Sequence, residues 1–202
     1  MIPAVTVHSY PPPPLREEEI LRYAGAPRGD ATAHSLLQAC LPEIESDMTY
    51  RVSYASFPLS MQGDTLDLGF ATCESQQLRR CLDGCDRFLL MAATVGLAVD
   101  RQIRRYQLSS PAKALMFSAI GSERVESLCD AWEDEQRRVW ATKGRALRPR
   151  FSPGYGDFPL ALQQPLLQTL QAARYLGIAL QESLLMMPTK SVTAIVGLYS
   201  NP

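Results

Sequence analysis

The sequence predicts an α+β fold: a curved antiparallel sheet with helices packed against it, preceded by a helical appendage at the N-terminus. Two patterns and a size argument carry this. Apolar residues recur at helical spacing after Asp30, over 97–106 and over 112–140. The stretches 48–61, 86–94 and 191–199 instead combine β-branched and aromatic residues or form short apolar runs. These two kinds of segment follow one another in a mixed order. The chain has 202 residues, 46% of them apolar and 20% charged. That is enough to bury one core, and it excludes a disordered or fibrous chain.

Residues 1–14 end in Pro11–Pro14, which excludes a helix and removes ladder donors. They are expected to form an extended arm outside any secondary structure. Residues 15–45 form the appendage. Leu15–Gly25 reads as a short helix with acidic residues in its first turn and Gly25 to end it. Asp30 can cap a second helix whose apolar positions are Leu36, Leu37, Cys40 and Leu41. The main domain is expected over 46–202. Met48–Met61 reads as a strand that stops at the turn pair Gly63–Asp64, and Leu66–Phe70 returns beside it. Ser75 starts a helix through Leu82, and Asp86–Thr94 is a buried strand. Leu97–Tyr106 and Ala112–Trp140 are helices, the latter started by Pro111 and open to a bend at Gly121. Residues 150–159 form a loop, Leu160–Tyr175 a helix, and 191–199 the last strand.

A net charge of −1 gives no global field toward nucleic acid or an anionic membrane. No apolar run reaches membrane-spanning length and the N-terminus does not resemble a signal peptide, so a cytoplasmic location is expected. Five cysteines read as reduced thiols. Cys81 and Cys85 stand close together, but His8 and His34 are the only histidines and both are distant, so no metal site is expected. Residues 122–135 hold six carboxylates and one Arg, whereas 136–150 hold only cations. The second run suits either a solvated helix end or a basic rim for an anionic ligand or acidic partner. No triad of nucleophile, base and orienting acid is apparent, so no catalytic residue is assigned. Arg150-Phe-Ser-Pro-Gly154-Tyr155 is the best local binding candidate. It offers a fixed cation, a turn baring backbone groups, and an aromatic face.

Three stretches resemble the reactivation (activation) domain of cobalamin-dependent methionine synthase, and more closely the short free-standing relatives of that domain. The first is Arg150-x-x-x-Gly154-Tyr155. The second is Gly177-Ile-Ala-Leu-Gln-Glu182-Ser183-Leu-Leu-Met186-Met-Pro188 followed by Ser191-Val-Thr193. The third is Phe57-Pro58 with Gly63-Asp64. The likeness covers roughly 45–202. It implies that fold, with S-adenosylmethionine as cofactor and with Glu126, Arg150, Ser152, Gly154 and Tyr155 as its binding residues. Arg150 would pair with the methionine carboxylate and Glu126 would neutralise the ammonium or sulfonium side. Tyr155 and the 151–154 backbone would line the ligand. It also implies a corrinoid-binding or methionine synthase protein as partner, whose cobalamin is methylated reductively. Proximity rather than acid–base chemistry would carry that step.

The sequence departs from the family pattern in having no counterpart of its N-terminal Asp-Trp motif and Gln181 where Thr is usual. It also stops at Pro202, short of the tail that adds a Tyr to the family's pocket. No cobalamin, homocysteine or folate module fits in this length, so an accessory role rather than the whole methionine synthase reaction is implied. The alternative is a non-catalytic docking subunit of a split corrinoid methyltransferase.

Overall fold

A computed structural model describes residues 3–200. In chain order the strands are β1 (Thr6–Ser9), β2 (Arg51–Pro58), β3 (Ser60–Gln62), β4 (Thr65–Asp67), β5 (Thr72–Glu74), β6 (Cys85–Thr94), β7 (Arg145–Phe151), β8 (Ala179–Leu180), β9 (Met186–Met187) and β10 (Ser191–Ser200). The helices are α1 (Glu17–Tyr23), α2 (Ala31–Cys40), α3 (Gln76–Cys81), α4 (Ala98–Tyr106), α5 (Pro111–Ala141), α6 (Gln163–Thr169) and α7 (Ala172–Leu176). The fold is α+β. Its main sheet is antiparallel throughout, in the order β1-β2-β6-β10-β7. Smaller sheets join β3-β4-β5 and β8-β9.

The period-2 pleat explains why the central strands are apolar almost without a break. Successive side chains point to opposite faces, and both faces are covered. Along β6, Leu89, Met91 and Ala93 enter one core, while Phe88, Leu90 and Ala92 enter the other. The first core is closed by α1, α2, α4 and α5 around Trp132, Phe117 and Ile120. The second is closed by α3, α6, α7 and the small sheet around Phe158, Leu66 and Leu78. Residues 15–45 contribute Ile20, Leu37, Cys40, Leu41 and Ile44 to the first core, so these helices close it from outside the sheet. Asp30 caps α2 by accepting from the Thr32 and Ala33 amides, and Ser75 caps α3 by accepting from Leu78.

Four expectations are corrected. The arm is extended but not free of secondary structure: Thr6–Ser9 pairs with Tyr54–Arg51 as an edge strand. The prolines that follow keep their carbonyls, and the buried Arg124 donates to Pro13 and Pro14 at 2.7 and 2.8 Å. The basic run is not one helix end. It splits into the end of α5 and the edge strand β7, where Pro149 is tolerated because an edge strand has a side without ladder partners. Leu160–Tyr175 is broken at Gln171, which takes φ 49°, so α6 and α7 are separate short helices. Gly121 lies within a continuous α5, where a β-carbon would stand 2.7 Å from Val99 and Lys190. Its absence of a side chain lets α4 and the Lys190 segment approach.

No helix among the described residues is long and apolar enough to cross a membrane. All five cysteines are free thiols. No group of three or more His, Cys, Asp or Glu among the described residues is placed to hold a metal ion.

Candidate functional site

Four segments converge on one cavity of about 580 Å³: the middle of α5, the end of β7 with the loop after it, the start of α6 with the turn leading into it, and the β9–β10 segment. It is lined by Glu126, Arg150, Ser152, Pro153, Gly154, Tyr155, Leu160, Gln163, Met186 and Ser191–Thr193. The five residues singled out in the sequence therefore face a single space. Its volume lies within the range of small-molecule sites.

The loop is held in place from below. Asp157 accepts from the Ser75 hydroxyl at 2.5 Å and from the Gln76 amide at 2.7 Å, tying the loop to the start of α3. These bonds hold the Asp157 carboxyl below the usual carboxylate range, the Ser75 hydroxyl most of all. The Gly154 amide donates to the Phe158 carbonyl at 2.8 Å, closing the turn. Gly154 has φ +91°, and a β-carbon there would stand 3.2 Å from Leu160, so glycine suits both backbone and space. Tyr155 is 64% exposed, with its ring edge-on to Phe151 at 6.5 Å. An exposed ring on a pinned turn offers a flat apolar face to a ligand.

Arg150 does not belong to the 150–159 loop that the sequence predicts. It sits in β7 opposite Val196, and its side chain is only 20% exposed. Glu126, Asp130 and Glu133 lie on one stripe of α5, at i, i+4 and i+7, and all three meet it. Arg150 Nη2 donates to Glu126 Oε2 at 3.0 Å and to Asp130 Oδ1 at 3.2 Å. Its Nη1 lies 3.1 Å from Glu133 Oε1, an ion-pair distance, but the angle makes no hydrogen bond. This buried donor therefore has no hydrogen-bond partner. Burial opposes the Arg150 charge, yet the acidic surroundings outweigh it and hold its pKa above the usual value. Burial pushes the Glu133 carboxyl up, against the pull of Arg150 and Arg137.

The basic residues before Arg150 do not flank the opening. Arg137 pairs with Glu133 and Asp134, Arg145 with Asp86, and Arg148 donates to the Asp83 carbonyl and lies over Tyr199. None of them lines the cavity: Asp86 and the Asp83 carbonyl, at the start of β6 and the turn before it, engage Arg145 and Arg148, and Glu133 and Asp134 of α5 engage Arg137. Glu182 and Ser183, part of the second family-like stretch, are exposed in the β8–β9 turn and do not line this cavity. Asp130, Glu133, Leu160 and Gln163 lie outside the residues to which the sequence points. Asp130 and Glu133 could have been found from their spacing to Glu126; Leu160 and Gln163 carry no such signal.

The chain is similar to the MetH reactivation domain as solved in a crystal structure described as that domain bound to AdoHcy. The two share a TM-score of 0.68 over 98% of this chain and 79% of that one, with 15% sequence identity. The fold is that of a MetH reactivation domain. No protein-family model and no curated protein matches the sequence. The reactivation-domain fold thus appears here with little of that domain's sequence.

Proposed function

We propose that this chain binds S-adenosylmethionine in the α5–β7 cavity and presents it to a separate corrinoid-carrying protein of the methionine synthase type. The observation that carries the reading is the common opening of Arg150, Glu126, Ser152, Gly154 and Tyr155 into one cavity. Its support is a fold shared with a domain solved with AdoHcy, the demethylated form of that cofactor.

The residues fit such a ligand. Nη2 of Arg150, which Glu126 now engages at 3.0 Å, is a donor for a carboxylate, and Glu126, 40% exposed and reaching the same space, suits an ammonium or sulfonium centre. Tyr155 supplies a face for an adenine ring, and Ser152 with the 152–154 backbone supplies polar contacts. When bound, the sulfonium would supply an activated methyl group for a reduced cobalt on the partner. The residues of this chain would bind and orient, which requires no nucleophile or base among them.

The test is calorimetric titration with S-adenosylmethionine and AdoHcy, followed by a reductive methylation assay with a cobalamin-loaded partner. Tyr155→Ala is expected to weaken binding by about tenfold, as loss of a stacking face of roughly 1–1.5 kcal/mol implies. No binding of either ligand by the parent protein would refute this reading. It would favour the non-catalytic docking subunit.

A further inference from the structure

The three carboxylates around Arg150 are not equivalent. Asp130 gives Oδ1 to Arg150 at 3.2 Å, while its Oδ2 is taken by Arg16 Nη1 at 2.9 Å. Glu133 gives Oε1 to Arg150 at 3.1 Å, while its Oε2 is taken by Arg137 Nη2 at 2.6 Å. Each is split between the inner arginine and an outer one. Glu126 alone touches Arg150 without a second arginine. A free carboxylate beside a guanidinium prefers to turn both oxygens to it as a forked pair. A second cation on the outer oxygen prevents that.

We propose that Arg16 and Arg137 are positioning residues of the cavity. By holding the outer oxygens of Asp130 and Glu133, they stop these carboxylates from closing over Arg150 and leave the Nη2 position that Glu126 occupies exchangeable for a ligand carboxylate. Glu126, the carboxylate with no outer partner, is the one that ligand displaces. Arg16 is itself placed by the arm. Its Nε lies 3.2 Å from Glu123 Oε1, and Glu123 is fully buried against Arg124, which grips the Pro13 and Pro14 carbonyls. The N-terminal segment thereby reaches the cavity through two ion pairs. This inference rests on the ligand reading above for its carboxylate, but the arrangement of Arg150 can be read without any ligand.

The experiment uses Arg16→Met and Arg137→Met in the full chain, with S-adenosylmethionine and its decarboxylated analogue as probes. Each variant is expected to bind S-adenosylmethionine about two- to fivefold more weakly, in line with loss of a partly exposed charge contact. The analogue, which has no carboxylate to place on Arg150, is expected to bind as before. Arg16→Lys is expected to restore part of the loss. Equal weakening of both probes, or of neither, would overturn the proposal. A ligand-free arm follows the Arg150 guanidinium signals by NMR. Rotation is expected to slow in Arg16→Met as Asp130 turns both oxygens inward, and an unchanged or faster rate would overturn the positioning role. If the parent binds neither probe, the ligand reading fails and the NMR arm alone decides. Arg16→Gln, which keeps a polar partner for Glu123, serves if Arg16→Met does not fold.

Discussion

Replacing Arg150 with Ala is expected to cost stability as well as ligand affinity. Three carboxylates within 3.0–3.2 Å would face one another without their shared cation. Breaking a buried pair by removing one partner costs about 3–5 kcal/mol. Here Glu126 and Asp130 are 40% and 47% exposed and can rehydrate, and Glu133, at 8%, retains Arg137. The expected loss is therefore smaller, about 2–3 kcal/mol at pH 7. For a chain of 202 residues this is a fall in Tm of about 5–10 °C. The pH dependence identifies the cause. Without Arg150 the Glu133 carboxyl, already pushed up by burial, loses a cation that pulls it down and rises further above its ordinary value of 4.5. The penalty is then present above that pH and disappears as pH falls below it, where the acids are neutral in both states. Thermal melts of parent and variant from pH 8 to pH 4 read the difference directly. An unchanged Tm at pH 7 would refute the electrostatic account. A loss that stayed constant down to pH 4 would assign it to packing.

Two further outcomes are expected. Gly121→Ala would normally gain helix propensity of about 1 kcal/mol. Here the new methyl overlaps Val99 and Lys190, so a net loss of about 1–2 kcal/mol is expected in chemical denaturation, relieved by Val99→Ala; a stabilised variant would refute the close approach. The parent protein is expected to lose stability as pH falls below 4.5. Glu43, through Lys113 and Tyr106, is held below that ordinary value, and so is Glu123, where Arg124 and Ser127 outweigh its burial. Their contribution is present above 4.5 and vanishes as each is protonated in the fold. Glu43→Gln should flatten part of the slope of Tm against pH, and an unaltered slope would remove Glu43 from the explanation.

The elements that could be read from sequence are those whose own residues determine them. Asp30 and Ser75 cap helices because their side chains reach the first free amides, and Gly63–Asp64 turns because glycine accepts φ +57°. The elements that could not be read depend on partners remote in sequence. Thr6–Ser9 becomes a strand only because β2 offers an edge to it. Arg145–Phe151, with its arginines and Pro149, becomes one because β10 supplies the ladder. The break at Gln171 has no glycine or proline to announce it. The same limit applied to the site. Arg150, Gly154 and Tyr155 stand together in sequence, but the carboxylate stripe that faces Arg150 is on α5, and Arg16 comes from more than a hundred residues earlier.

The position of β10 has a consequence for how the molecule assembles. It lies between β6 and β7, and β7 has no other partner in the sheet. Ser191 and Thr94, neighbours across the β6–β10 ladder, are 97 residues apart in sequence. During synthesis β6 emerges early, with apolar side chains on both faces and one edge unpaired until the last strand arrives. A nascent or truncated chain lacking β10 would present an aggregation-prone edge. Pairing with a strand from another molecule competes with folding for as long as the final segment is missing.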